Sequence, residues 1–151
     1  MGELSHVKPD GSVSMVDVSA KPEQMRVATA RGFVRMSPQT LQLVRENGIK
    51  KGDVLSAAKL AGISAAKQTS ALIPLCHPLP LSHVQVDCEV KEEGIEVLAA
   101  VRTTGRTGVE MEALTGVSVA ALTLYDMCKA VDKAMVIEGI AVVSKEKTGK
   151  Q

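Results

Sequence analysis

Asp126 and Lys129 stand three residues apart near the end of a long apolar stretch, with Lys133 one turn further on. On a helix that spacing makes them neighbours on one face. Such a pair is ordinarily a surface ion pair. A carboxylate beside a lysine is also the minimum equipment for moving a proton. A lysine close to other cations and partly desolvated titrates nearer neutrality, where general acid–base chemistry operates. The stretch is otherwise apolar, so a charged pair inside it keeps the second reading open.

A second place with chemical character is Leu72-Ile73-Pro74-Leu75-Cys76-His77-Pro78-Leu79-Pro80. Proline removes a backbone donor and disfavours helix at itself and at the residue before it. The run is therefore neither a helix nor a central strand, yet it is too apolar for a solvated loop. Two readings fit: the wall of a binding site carrying one imidazole, or a proline-stiffened connector whose His77 is merely hydrogen-bonded. Cys76 and His77 do not read as a nucleophile and its base, because successive side chains of an extended chain point to opposite sides.

The third place is Thr103-Thr104-Gly105-Arg106-Thr107-Gly108-Val109-Glu110-Met111-Glu112. Glycines, hydroxyls and a cation ahead of a helix make an anion cradle, since free amides point outward there. The spacing is not that of a Walker loop. Glu110 and Glu112 also suit a helix N-terminus through its dipole alone. Glu112 and Asp126 are fourteen residues apart, roughly 21 Å along a straight helix. One subunit cannot bring both to a single small reacting centre. Either the ligand is long or two subunits share the site.

The elements that must position these groups follow from periodicity. Residues 14–18 suggest a short terminal strand, and 24–36 a strand with a bend at Gly32. Ser37-Pro38 starts a helix, with a capping serine and proline at the first helical position. It carries Leu41 and Val44 and stops at Asn47-Gly48. Two helical pieces follow, about 53–61 and 64–72, separated by Gly62. Val84, Val86, Cys88 and Val90 alternate with polar residues, Glu92-Glu93-Gly94 turns, and Ile95, Val97, Ala99 and Val101 alternate again. That is a β-hairpin. A helix over about 109–133, apolar almost all round, must be buried on more than one face. A strand over 134–144 closes the pattern.

Setting aside 49–80 leaves strand, helix, strand, strand, helix, strand. That order specifies an α+β ferredoxin-like plait, an antiparallel sheet with helices on one face. The 49–80 segment then reads as a mainly helical insertion. The whole chain, 1–151, reads as one domain, with 1–13 and 146–151 expected to be flexible.

Composition narrows the function. Hydrophobic residues make up 45% and charged residues 23%, as in an ordinary soluble protein. No apolar run approaches a membrane span, and residues 1–10 lack the character of a signal peptide. A soluble, cytoplasmic protein without membrane partners is expected. The aromatic residues are Phe33 and Tyr125, too few to stack bases, and the net charge of +1 also argues against a nucleic-acid partner. Yet 21–67 holds nine basic and three acidic residues, which suits a small polyanionic ligand as well as it suits solvated lysines. Cys76, Cys88 and Cys128 are odd in number and widely spaced, against a disulfide framework or structural zinc. They read as buried packing residues.

Several strings also carry a resemblance: Met15-Val16-Asp17-Val18-Ser19, Lys51-Gly52-Asp53-Val54, Ala65-Ala66-Lys67-Gln68-Thr69, the Leu72 to Leu79 run, Thr107-Gly108-Val109-Glu110-Met111-Glu112-Ala113-Leu114-Thr115, and Leu124-Tyr125-Asp126-Met127-Cys128-Lys129-Ala130. Together, in this order and spacing, they resemble the molybdenum-cofactor biosynthesis accessory protein C family, the cyclic pyranopterin monophosphate synthases. The resemblance spans about 15–145. It implies a ferredoxin-like homohexamer, a trimer of dimers, with sites at the dimer interface. It implies conversion of 3′,8-cyclo-7,8-dihydro-GTP into cyclic pyranopterin monophosphate with release of pyrophosphate, a lyase reaction. By matching motifs, Asp126 is the implied catalytic residue, with Lys129 beside it. Leu75, Cys76 and His77 are implied to line the substrate, with Met111, Glu112 and Glu110 on another side. Lys51, Lys67, Arg26 and Lys145 are the implied phosphate and proton-transfer cations, Lys51 among the catalytic set. No tightly bound cofactor or metal is expected, although a triphosphate can bring Mg2+ with it. Two departures stand out. Arg106 replaces the family's usual lysine, keeping the charge but changing the donor geometry. The tail from Glu146 to Gln151 lacks the usual Gly-Gly-Lys-Ser-Gly ending, which weakens any role for Lys147 or Lys150. The competing class is a non-catalytic oligomeric binding protein for an anionic nucleotide, which has no need of an aspartate beside a lysine.

Overall fold

The computed structural model describes residue 2 and residues 4–148. Four strands, β1 (Gln24–Arg35), β2 (Leu81–Val90), β3 (Gly94–Gly105) and β4 (Val136–Thr148), form an antiparallel sheet in the order β2-β3-β1-β4. The helices are α1 (Pro38–Arg45), α2 (Val54–Lys67), α3 (Thr69–Leu72) and α4 (Glu110–Cys128). This strand order is that of the ferredoxin-like plait.

Period-two burial gives each central strand its inward face. Ala28, Ala30 and Val34 of β1, and Val97, Ala99 and Val101 of β3, are buried against Val117, Ala120, Ala121 and Leu124 of α4. Each fully buried Val or Leu contributes about 1.5–3 kcal/mol relative to exposure. With no tryptophan, and with Phe33 and Tyr125 both only partly buried, the core is aliphatic. Tyr125 packs against it from α4.

The helix lying beside α4 on the sheet is α2, which also packs on β2. The 49–80 segment therefore supplies the plait's own first helix, and the short α1, whose main contact is with β3, is the added element. Nor does Gly62 divide α2, which runs unbroken through it. A Cβ at Gly62 would lie 2.9 Å from the carbonyl oxygen of Gly116 in α4. This glycine permits close helix crossing and does not break the helix.

Other boundaries also differ from the sequence expectation. Residues 14–18 belong to no strand. α4 ends at Cys128, not 133, and β4 continues to Thr148, with Glu146 and Lys147 opposite Val27 and Arg26. Lys150 lies outside the described residues. At the start, Val7 and Val13 form an isolated bridge. As predicted, α1 is capped by Ser37, whose side chain accepts from the Thr40 amide at 3.2 Å, with Pro38 next. No helix among the described residues is long and apolar enough to cross a membrane.

Candidate active site

All the candidate residues but Lys67 gather at the two ends of α4. At its C-terminal end, Asp126 Oδ1 lies 3.0 Å from Lys129 Nζ, and its Oδ2 lies 3.3 Å from Lys51 Nζ. Lys51 also donates to the Asp126 carbonyl at 3.0 Å. The pairing of Asp126 with Lys129 follows from their spacing. The approach of Lys51, 75 residues away in the chain, does not. Hydrogen bonds from Lys129 and then Lys51, reinforced by their charges, hold the Asp126 carboxyl below the usual carboxylate range. The expectation of a desolvated pair inside an apolar helix is corrected here. The Asp126 side chain is 59% exposed, because it lies in the last turn of α4 on a face turned to solvent, and Lys129 is the helix C-cap.

At the N-terminal end of α4, a cleft of about 360 Å³ is bounded by Leu75, Cys76 and His77 on one side and by Glu110, Met111 and Glu112 on the other. The proline run forms this wall, though not as one extended stretch. Leu72 closes α3, and Pro74 and Leu75 make a turn in which the Cys76 amide donates to the Ile73 carbonyl at 3.1 Å. Residues 76–80 follow without regular structure, facing the start of α4. His77 is both tethered and in the wall. Its Nε2 donates to the Val16 carbonyl at 2.6 Å, since a carbonyl can only accept. The 14–18 segment is thus held against the cleft, where Val16 and Val18 line it. Its apolar pattern serves the cleft and not the sheet.

Glu112 is 4% exposed. Burial pushes its carboxyl up; its own amide opposes this and the neighbouring Glu110 adds to it. Cys76 is likewise pushed up, by burial and then by Glu112. The expectation that all three cysteines are buried holds for Cys128 alone; Cys76 and Cys88 are partly exposed, and all are free thiols. Burial drives Cys88 and Cys128 to about 11, away from thiolate chemistry.

An adjoining cleft of about 340 Å³, sharing Lys21, Gly108 and Glu110 with the first, brings together Arg26, Lys145 and Lys147, with Glu146 at its edge. Arg26 is only 8% exposed. Its guanidinium donates to the carbonyls of Gly105 (3.2 Å) and Arg106 (3.4 Å) and to Gln24 Oε1 (3.3 Å). It forms no ion pair among the described residues. A buried cation without a carboxylate favours an anion from outside. The amides of Glu110, Met111 and Glu112, which open α4 without a capping side chain, add to that preference. Sequence reasoning did not single out Lys21 and set Lys147 aside. The signal for Lys147 was the pairing of the last strand with β1, which puts it opposite Arg26.

Lys67 stands apart from both clefts, in a shallow depression with His83 and Ser82 that meets the first cleft at Leu79. Arg106 lies at the rim, donating to the Lys21 carbonyl at 3.2 Å and pairing with Glu23 at 3.6 Å. Among the described residues, no three His, Cys, Asp or Glu side chains gather as a metal-binding group.

The sequence of this chain matches the model of the MoaC family over residues 15–148. It is similar to a protein named cyclic pyranopterin monophosphate synthase from Thermomicrobium roseum, 58% identical over 96% of this chain and 89% of that protein. Proteins of the same name from Desulfitobacterium hafniense and Novosphingobium aromaticivorans are each 57% identical, over 97% and 96% of this chain and 90% and 92% of theirs. The match takes in every strand of the sheet, both ends of α4 and the clefts apart from Ser5 and His6, and on that extent the chain belongs to the MoaC family.

Proposed function

We propose that this protein is a cyclic pyranopterin monophosphate synthase. It takes 3′,8-cyclo-7,8-dihydro-GTP to cyclic pyranopterin monophosphate and pyrophosphate, as a phosphorus–oxygen lyase of molybdenum cofactor biosynthesis in the cytoplasm. The observation that carries this is the division of labour between the ends of α4. A buried Arg26 with no ion pair among the described residues, set among lysines, stands beside a cleft that mixes apolar walls with Glu112 and His77. An ionised aspartate held by two lysines stands at the far end.

In this reading the triphosphate lies toward Arg26 and Lys145, where charge-assisted contacts are strong, and Lys67, in its separate depression, meets the substrate at the Leu79 side of the first cleft. The bicyclic base lies against Leu75, Cys76, His77, Met111, Glu110 and Glu112. Closing the cyclic phosphate breaks the bond from the α-phosphorus to the leaving pyrophosphate. The hydroxyl that attacks loses a proton and the ring rearrangement moves others; Asp126, Lys129 and Lys51 are the acid–base set for these transfers. Any Mg2+ enters with the triphosphate.

The two ends belong to one site only if subunits share it, so the working form is a dimer-based assembly, a hexamer of three dimers. Two features support association. β4 is an edge strand of thirteen residues, and Val136, Val142 and Val143 on it are exposed. An edge of that length with apolar side chains invites a partner. Leu122 and Val131 add apolar surface near the Asp126 end.

The test is incubation with the cyclised dihydro-GTP, followed by detection of pyrophosphate and the pyranopterin. Tight binding without either product would establish the non-catalytic nucleotide-binding alternative.

A further inference from the structure

Asp132, in the turn between α4 and β4, is buried at 8% exposure. Its Oδ2 accepts from the Ser37 amide and the Thr40 hydroxyl, both at 2.9 Å, and its Oδ1 accepts from the Ala134 amide at 3.0 Å. The direction of the neighbouring bonds follows. A carboxylate only accepts, so the single Thr40 hydroxyl proton goes to Asp132. The 2.8 Å contact between the Ser37 and Thr40 hydroxyls must then run from Ser37 to Thr40. The N-terminus of α1 is locked, bond by bond, to the segment that leaves α4.

Two ties therefore join the same two stretches of chain. One is the buried Asp132 network at the start of α1. The other is Lys51 on Asp126, reached from α1 through Asn47 and the buried Ile49. The second tie is exposed on both sides, and an exposed ion pair contributes little to holding a backbone in place. Its geometry must be set by something stiffer.

We propose that Asp132 is a positioning residue: by clamping the start of α1 to the turn after α4, it sets Lys51 against Asp126. The turnover arm of the test rests on the synthase reading; the titration arm does not. Burial pushes the Asp132 carboxyl up, but the bonds from Ser37, Ala134 and Thr40 outweigh it, so it remains ionised at neutral pH. Asparagine cannot accept at both positions and turns an N–H toward at least one donor.

The measurement is the titration of the Asp126 carboxyl carbon by NMR in the full-length protein. The charged groups that hold Asp126 are Lys129 from its own helix and Lys51 from the loop after α1. In Asp132→Asn, Asp126 should titrate at higher pH, moving toward its value in Lys51→Ala. In the Lys51→Ala background, Asp132→Asn should add no further rise. The sign is diagnostic, because removing the Asp132 charge would by itself lower the Asp126 pKa. An unchanged or lowered value in a folded variant overturns the proposal. If Asp132→Asn does not fold, Thr40→Val, which removes one bond and keeps the anion, decides it by the same criterion: a smaller rise supports the clamp and none overturns it. In turnover, kcat should fall about tenfold to a hundredfold from misplacement alone, with KM little changed. If the wild-type protein shows no turnover, the synthase reading fails while the titration still decides the clamp.

Discussion

A carboxylate flanked by Lys129 and Lys51 at 3.0 and 3.3 Å stays ionised below the usual carboxylate range, whereas Glu112, buried and without a side-chain partner among the described residues, resists ionisation. These opposite environments give separate predictions. Asp126→Asn keeps an acceptor for the lysines, so it should fold normally and lose at least about a hundredfold in kcat, read by pyrophosphate release beside a circular dichroism melt. Near-wild-type turnover would reduce Asp126 to an ion-pair partner. For Glu112 the folded pKa lies above the unfolded one. Between the two, the folded protein binds a proton that the unfolded chain has released, so stability falls as pH rises through that window and stays reduced above it. Glu112→Gln should therefore melt at a higher temperature than wild type at pH 7, and the difference should vanish at a pH below the ordinary glutamate range. An equal Tm at both pH values would mean that the cleft solvates the carboxylate. The Asp126–Lys129 pairing was legible because a three-residue spacing is enough to make neighbours on a helix. The third member, Lys51, was not legible from spacing, since its approach depends on how α1 is seated. Family resemblance alone pointed to it.

At the scale of elements, the hairpin of β2 and β3 was readable because one face of each strand is buried, which imposes strict alternation. α2 was misread at Gly62 because a glycine inside a helical pattern signals a break only locally. Here its contact with Gly116 decides the matter, and nothing in the neighbouring residues reports that contact. The terminal stretch 14–18 alternates for a different reason, since Val16 and Val18 face a cleft. The crossing yields a third prediction. Gly62→Ala puts a Cβ at 2.9 Å from a backbone oxygen and 3.1 Å from Val86 Cγ1; a carbonyl cannot swing aside as a long side chain can. The substitution should cost about 1–3 kcal/mol, although alanine is the better helix former. Urea unfolding measures it, and a stabilised variant would show that α2 and α4 can slide apart freely.

For the whole molecule, the decisive quantity is the length of α4, nineteen residues or about 28 Å, between two groups assigned to one reaction. The fourth prediction follows from sharing across a two-fold interface. Asp126→Asn and Glu112→Gln, each inactive alone, should regain activity when mixed under conditions of subunit exchange. With random pairing at equal concentrations, about a quarter of sites carry every group intact. Native mass spectrometry must first show mixed species. Mixed dimers without recovered turnover would place the complete site within one chain. The plait itself was legible from the order of elements, but the relation between the ends of α4 and a second subunit depends on surfaces that a single chain leaves open.

The scarcity of aromatic residues gives the protein a built-in optical probe. Tyr125 is its only tyrosine, there is no tryptophan, and it adjoins Asp126 at the exposed end of α4. Ultraviolet emission from the unlabelled protein therefore comes chiefly from one position, beside the lysine-held carboxylate. A pterin-like ring settling nearby should quench that emission, and denaturant should change it as α4 leaves the core. Ligand arrival and loss of packing can then be timed separately, without attaching a dye.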